Sequence, residues 1–114
     1  MPLPKFLQNF LPSYDISKMD LYDPWDKREI ITQILNFGDK KDIIWLFKNY
    51  NLTEIKKIIS QPMRGFWQER ALNYWTKFLN LRLSKIVYQA AIFSLRPRPE
   101  LMSQYFRDVK SERD

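Results

Sequence analysis

Between Ile30 and Trp75, apolar and aromatic residues recur at helical spacing, broken by short polar turns. The run reads IITQILNFGDKKDIIWLFKNYNLTEIKKIIS and then RALNYW, the pattern of amphipathic helices joined by tight connections. Upstream, Pro4 to Leu11 predicts a short helix with Phe6, Leu7, Phe10 and Leu11 on one side, stopped by Pro12. A polar loop follows, with Ile16, Met19, Leu21 and Tyr22 as anchors onto the core. Asp23 is placed to cap the next helix, because its carboxylate can accept a first-turn N–H, and Pro24 takes the first helical position, where no N–H is needed. Ile30, Ile31, Ile34 and Leu35 give that helix its buried stripe, and Gly38 is expected to end it as a left-handed C-cap.

Asp39 predicts the cap of a third helix, with Asp42 three residues on in a capping box built with a shorter acid. Ile43, Ile44, Leu46, Phe47 and Tyr50 fill this helix, and Trp45 widens its apolar surface. Asn51-Leu52 reads as a turn and Thr53 as the cap of a short fourth helix carrying Ile55, Ile58 and Ile59, closed by Pro62. A connector, Met63 to Phe66, leads into a fifth helix from about Trp67 to Leu79, with Ala71, Leu72, Trp75, Phe78 and Leu79 turned inward. From Leu83 or Ser84 onward, Leu83, Ile86, Val87, Ala90 and Ala91 follow helical spacing, while the β-branched and aromatic content leaves a strand open. Arg96-Pro97-Arg98-Pro99 is a breaker, Glu100 to Phe106 carries a last short apolar pattern, and RDVKSERD is a polar tail. The expectation is an all-α, single-domain bundle of five to six short helices.

Composition narrows the chemistry. A chain of 114 residues with 45% apolar content can hold one modest core. Without Cys or His there is no disulfide, no thiolate or imidazole catalysis, and none of the usual zinc or copper ligand sets. No cofactor or metal is expected. The apolar start is broken by Lys5, Gln8, Asn9 and Pro12 and reads as no secretory signal, and no run is long enough to span a membrane, so a cytoplasmic location is expected.

Charge adds a direction. The net charge is +6, and residues 1–50 balance seven basic against seven acidic residues, so the excess lies in residues 51–114. From Lys56 to Arg98, nine basic residues face Glu69 alone. Such asymmetry suits an acidic partner, protein or nucleic acid, and equally a solvated face. Phe66, Trp67, Tyr74 and Trp75 lie among Arg64, Arg70 and Lys77, a mixture that makes protein hot spots or base-stacking platforms. Trp75 is read as core, and at least one of Trp67 and Tyr74 as interface. Arg64, Trp67, Arg70, Tyr74 and Lys77 are therefore the candidate partner-binding residues. Lys56, Lys57, Arg82 and Lys85 are the candidate nucleic-acid contacts. Lys41 to Tyr50 followed by Thr53 to Ser60 could form a helix-turn-helix, though two helices and a short turn are generic in bundles. Asp39 with Asp42, and Asp23 with Asp26, read as helix-start residues and not as catalytic carboxylate pairs. No nucleophile–base pair or phosphate loop is visible, so the chain is read as no enzyme.

The elements Phe37-Gly38-Asp39, Trp45-Leu46 with Tyr50, Ile55 with Ile58, and Asn73-Tyr74-Trp75, in that order, carry a resemblance. The pattern resembles a family of small helical prokaryotic proteins often encoded beside AbiEii-type nucleotidyltransferase toxins. The resemblance covers roughly residues 14–81, and Asn51 stands where the pattern leads us to expect Gly. It implies an antitoxin-like, protein-binding role with a nucleotidyltransferase-type toxin as partner. The chain is expected to divide into an N-terminal arm or short helix (1–13), a family-like helical core (14–81), a C-terminal helical extension (82–106) and a polar tail (107–114). The alternative is a basic nucleic-acid-binding protein, an autoregulator. Homodimerisation through the apolar 83–93 segment is a further expectation.

Overall fold

Local caps set the breaks in the chain. The computed structural model describes residues 3–94. The Arg96–Pro99 breaker, the last apolar pattern at 100–106 and the polar tail lie outside the described residues. Asp23 accepts hydrogen bonds from the N–H groups of Trp25 and Asp26 and starts α1 (Pro24–Phe37) with Pro24 at its first turn. Asp39 accepts from Lys41 N and Asp42 N, and Asp42 returns a carboxylate oxygen to Asp39 N, which completes the capping box of α2 (Lys40–Asn49). Asp39 titrates below the ordinary carboxylate range, chiefly because of the hydrogen bond from the Asp42 backbone.

Two connections differ from the sequence reading. Gly38 is not left-handed; it is extended, at φ −71° and ψ 148°. Glycine is required for room, not for conformation: a Cβ there would meet Ile34 O at 2.6 Å, Ile34 Cγ2 at 3.0 Å and Asp42 Cβ at 3.1 Å. The chain leaves α1 straight into the capping box of α2, which presses residue 38 against both helices. Gly38→Ala is expected to destabilise the fold by about 1–3 kcal/mol, because backbone must move to admit the methyl group. A urea midpoint equal to the parent's would contradict this close approach.

The second difference is at the start of α3 (Leu52–Ser60). Asn51, not Thr53, is the cap: its side chain accepts from Glu54 N at 2.8 Å, and Glu54 accepts from Asn51 N at 3.2 Å. That is a second capping box, and it explains why this position holds Asn and not Gly.

The fifth predicted helix begins later than expected, as α4 (Glu69–Phe78). It ends in a left-handed residue at Asn80 (φ 54°), with Asn80 N donating to Lys77 O and Leu81 N to Thr76 O. This is a Schellman closure with Asn in the place usually taken by Gly. Ser84 then caps α5 (Lys85–Ala91), which resolves the open choice at this segment in favour of helix. Two short 3-10 turns, Lys5–Asn9 and Ile16–Lys18, precede the helices. Between these elements the described residues form turns and loops, and the one β-type pairing among them is an isolated parallel bridge between Trp67 and Ile92.

α1 is the central element and packs against α2, α3 and α4. Its Ile30, Ile31, Ile34 and Leu35 are buried beside Leu46, Tyr50, Ile55, Ile59, Leu72 and Trp75. Burying each such aliphatic side chain contributes about 1.5–3 kcal/mol relative to leaving it in water. The N-terminal turn closes one side: Leu7 and Leu11 are buried, and Phe6 meets Trp45 edge-on at 5.2 Å. Tyr50 ties the preceding loop down, donating its hydroxyl to Leu21 O at 2.7 Å. Burial, and secondarily the charge of Glu54, hold that phenol well above its ordinary titration range. Five expected core contacts are exposed: Tyr22, Ile44, Phe78, Ile86 and Val87.

Candidate functional site

α4 has two faces of opposite character. Leu72, Trp75 and Thr76 are buried, and Leu79 just beyond the helix joins them. Thr76 keeps its hydroxyl satisfied by donating back to Leu72 O or Asn73 O, as Thr on a helix can. The outer face carries Arg70, Asn73, Tyr74 and Lys77, all exposed. Arg70, Tyr74 and Lys77 fall at i, i+4 and i+7, so they share one stripe.

The aromatic part of this face is pre-arranged. Tyr74 is 55% and Phe78 64% exposed, and their rings stack at 5.8 Å with 11° between planes. Trp75 lies beneath, edge-on to Tyr74 at 4.9 Å and to Phe78 at 5.8 Å. Trp75 is itself anchored, donating its indole N–H to Leu35 O on α1 at 3.0 Å and packing on Phe47 of α2 at 6.0 Å. The two exposed rings therefore rest on a tryptophan that is anchored to α1 and α2. Beside them, Gln68, Glu69, Arg70, Asn73 and Tyr88 line an open polar groove of about 750 Å³ between α4 and α5. Burial first, and then the charge of Glu69, raise the Tyr88 phenol above its ordinary range, so it is a hydrogen-bonding hydroxyl at neutral pH.

The structure gathers Arg70, Tyr74 and Lys77 on one face, as the sequence reading requires, and places Trp75 in the core. Arg64 is exposed, but on the connector before α4. Trp67 is a correction: it is 0% exposed and cannot meet a partner. Its N–H donates to Ala91 O at 2.9 Å and its carbonyl accepts from Phe93 N at 2.6 Å, so the connector pairs with the end of α5. Asn36 on α1 holds the same connector from the other side, donating to Phe66 O and accepting from Gln68 N. Gly65 makes the turn into it at φ +75°, where a side chain would be strained. Phe78 is the second correction: expected inward, it is outside and completes the ring pair. Its signal was the i, i+4 aromatic spacing with Tyr74.

The candidate nucleic-acid residues lie on two elements. Lys56 is half-buried and Lys57 exposed on α3, whereas Arg82 and Lys85 are exposed at the approach to α5 and its first residue. Ile55 and Ile59 bury the opposite side of α3. Among the described residues, no three Asp, Glu, His or Cys side chains converge on a metal position, and no helix is long and apolar enough to cross a membrane. Comparison of the chain with protein-family models, curated proteins and solved structures finds no significant match.

Proposed function

We propose that this chain is a non-enzymatic protein-binding module, an antitoxin-like partner that lays the outer face of α4 on a nucleotidyltransferase-type toxin and neutralises it. The observation that carries the reading is the stacked, exposed Tyr74–Phe78 pair, packed edge-on against Trp75 and accompanied by Arg70 and Lys77 on the same helix. Large rings that are already positioned lose little entropy on binding, and Tyr and Arg are enriched among hot-spot residues. Nucleotidyltransferases hold their metal with carboxylates, so cations beside an aromatic anchor suit an acidic surface near such a site. The link to this toxin class rests on the resemblance in the Phe37–Trp75 pattern.

The test is co-expression with the open reading frames that neighbour the gene, followed by size-exclusion chromatography over a salt series. Reversing both cations, Arg70→Glu with Lys77→Glu, is expected to weaken a stoichiometric complex at least tenfold at low salt. The wild-type complex is expected to persist at high salt, because apolar burial is insensitive to screening. Unchanged binding in the reversed variant would remove α4 from the interface.

A further inference from the structure

A second surface is built where α1 and α3 cross, and its residues are not those of the α4 face. Pro24, Lys27, Arg28, Glu54, Lys57, Ile58 and Gln61 line a groove of about 430 Å³. Its charges divide unequally. Lys27 donates to Glu54 at 3.1 Å, and Glu54 also serves the Asn51 cap, so this cation and anion neutralise each other. The pairing shows in Glu54, whose carboxyl is held below its ordinary range first by the Lys27 hydrogen bond. Arg28 and Lys57 have no ion-pair partner among the described residues. The nearby carboxylates are directed elsewhere: Asp23 accepts from Trp25 N and Asp26 N, and Asp26 from Asp20 N.

Next to Pro24 in the chain, Trp25 is 70% exposed, the most exposed of the large apolar side chains in the described residues. The guanidinium of Arg28, which lines the groove, lies 4.7 Å from the Trp25 ring centroid and so links the ring to the groove, with most of the ring's surface left in water. Core packing does not explain this tryptophan, and a solvated face has no use for it. A flat aromatic surface next to two unneutralised cations, one of them Arg, matches a nucleotide unit: base on the ring, phosphate between Arg28 and Lys57.

We infer that the α1–α3 groove binds single-stranded nucleic acid, with Trp25 as the stacking surface and Arg28 and Lys57 as the phosphate contacts. This goes beyond the protein-partner reading and does not rest on it. Gln61 supplies an amide for a base or sugar edge. Specificity for one base is not expected, since every base has a face to stack.

The experiment is fluorescence anisotropy of a labelled oligo(dT) of about 15 nucleotides, long enough for a site of this type, titrated with the full chain over a salt series. Arg28→Ala with Lys57→Ala is expected to weaken binding at least tenfold and to flatten the dependence of log K on log salt by about 1.4, the loss of two single-strand phosphate contacts. Trp25→Ala is expected to weaken it at least fivefold, and Trp25→Phe to restore most of that. The matched control, Lys18→Ala with Lys41→Ala, removes the same charge from other exposed positions and is expected to change binding less than twofold. Equal losses in the control would reduce the effect to net charge and overturn the site. So would an oligonucleotide that binds the double variant as well as the parent, or that fails to bind the parent at all. Because Trp25 is exposed, its variants keep the fold, which circular dichroism checks. An oligonucleotide that fails to bind the parent chain while the toxin complex still forms would strike the groove and leave the α4 reading standing.

Discussion

Trp67→Ala is expected to lower the folding free energy by about 3–5 kcal/mol, the cost of removing a large buried ring. A domain of this size is stable by only about 5–15 kcal/mol, so the variant should lose a large share of its stability. The ring is fully enclosed, and the backbone on both sides of it pairs with residues 91 and 93. A cavity at this position therefore loosens the join between the connector and the end of α5 as well as the core. The indole N–H of Trp67 is buried without a partner, so Trp67→Phe, which deletes it and keeps a ring, should be much milder. Urea unfolding followed by circular dichroism measures both. A Trp67→Ala variant with the parent's midpoint would return this residue to the surface.

The opposite behaviour is expected of Tyr74→Ala with Phe78→Ala. Both rings are mostly in water, so their loss should change stability by no more than about 1 kcal/mol, mainly from contacts with Trp75. Binding to the protein partner should fall by about 2–4 kcal/mol, or roughly 30- to 1,000-fold, the scale of hot-spot truncation. The pair of experiments separates two aromatic roles that lie seven residues apart in sequence. One supports the fold and the other faces outward.

The sequence was readable where the deciding interaction is local. The caps at Asp23 and Asp39 involve residues two or three positions apart, so the spacing of Asp, Pro and Asp is enough to place them. The same logic, applied with Thr in mind, missed Asn51, although Glu54 three residues later completes a capping box just as Asp42 does. Gly38 shows a different limit. An aliphatic stripe followed by Gly looks like a left-handed stop, but the structure needs a missing Cβ because two helices converge there. The left-handed residue is Asn80, whose role depends on the closing bonds to Thr76 and Lys77.

Aromatic residues were the least legible. Trp67 sits among cations and reads as an interface anchor, yet its burial follows from pairing with residues 91–93 and from the Asn36 clamp. Both are long-range contacts that periodicity does not report. Phe78 is one turn from Trp75 and reads as core, but the buried stripe of α4 is centred on Leu72, Thr76 and Leu79 and leaves position 78 at its flank. Trp25 followed the cap too closely to be read as anything but the first turn of a helix, and the groove lined by its neighbour Arg28 takes its other half from α3. The Arg70, Tyr74 and Lys77 stripe was legible because one helix carries all three.

The central claim is that the α4 ring pair is the contact surface for a protein partner. Its most direct test is a binding titration of a nucleotidyltransferase-type toxin against the parent and the Tyr74→Ala, Phe78→Ala chain, both shown to be folded. A tight, stoichiometric complex with the parent and a loss of about 30-fold or more with the variant is the predicted result. Equal affinity for both chains, or none for the parent, would contradict the claim.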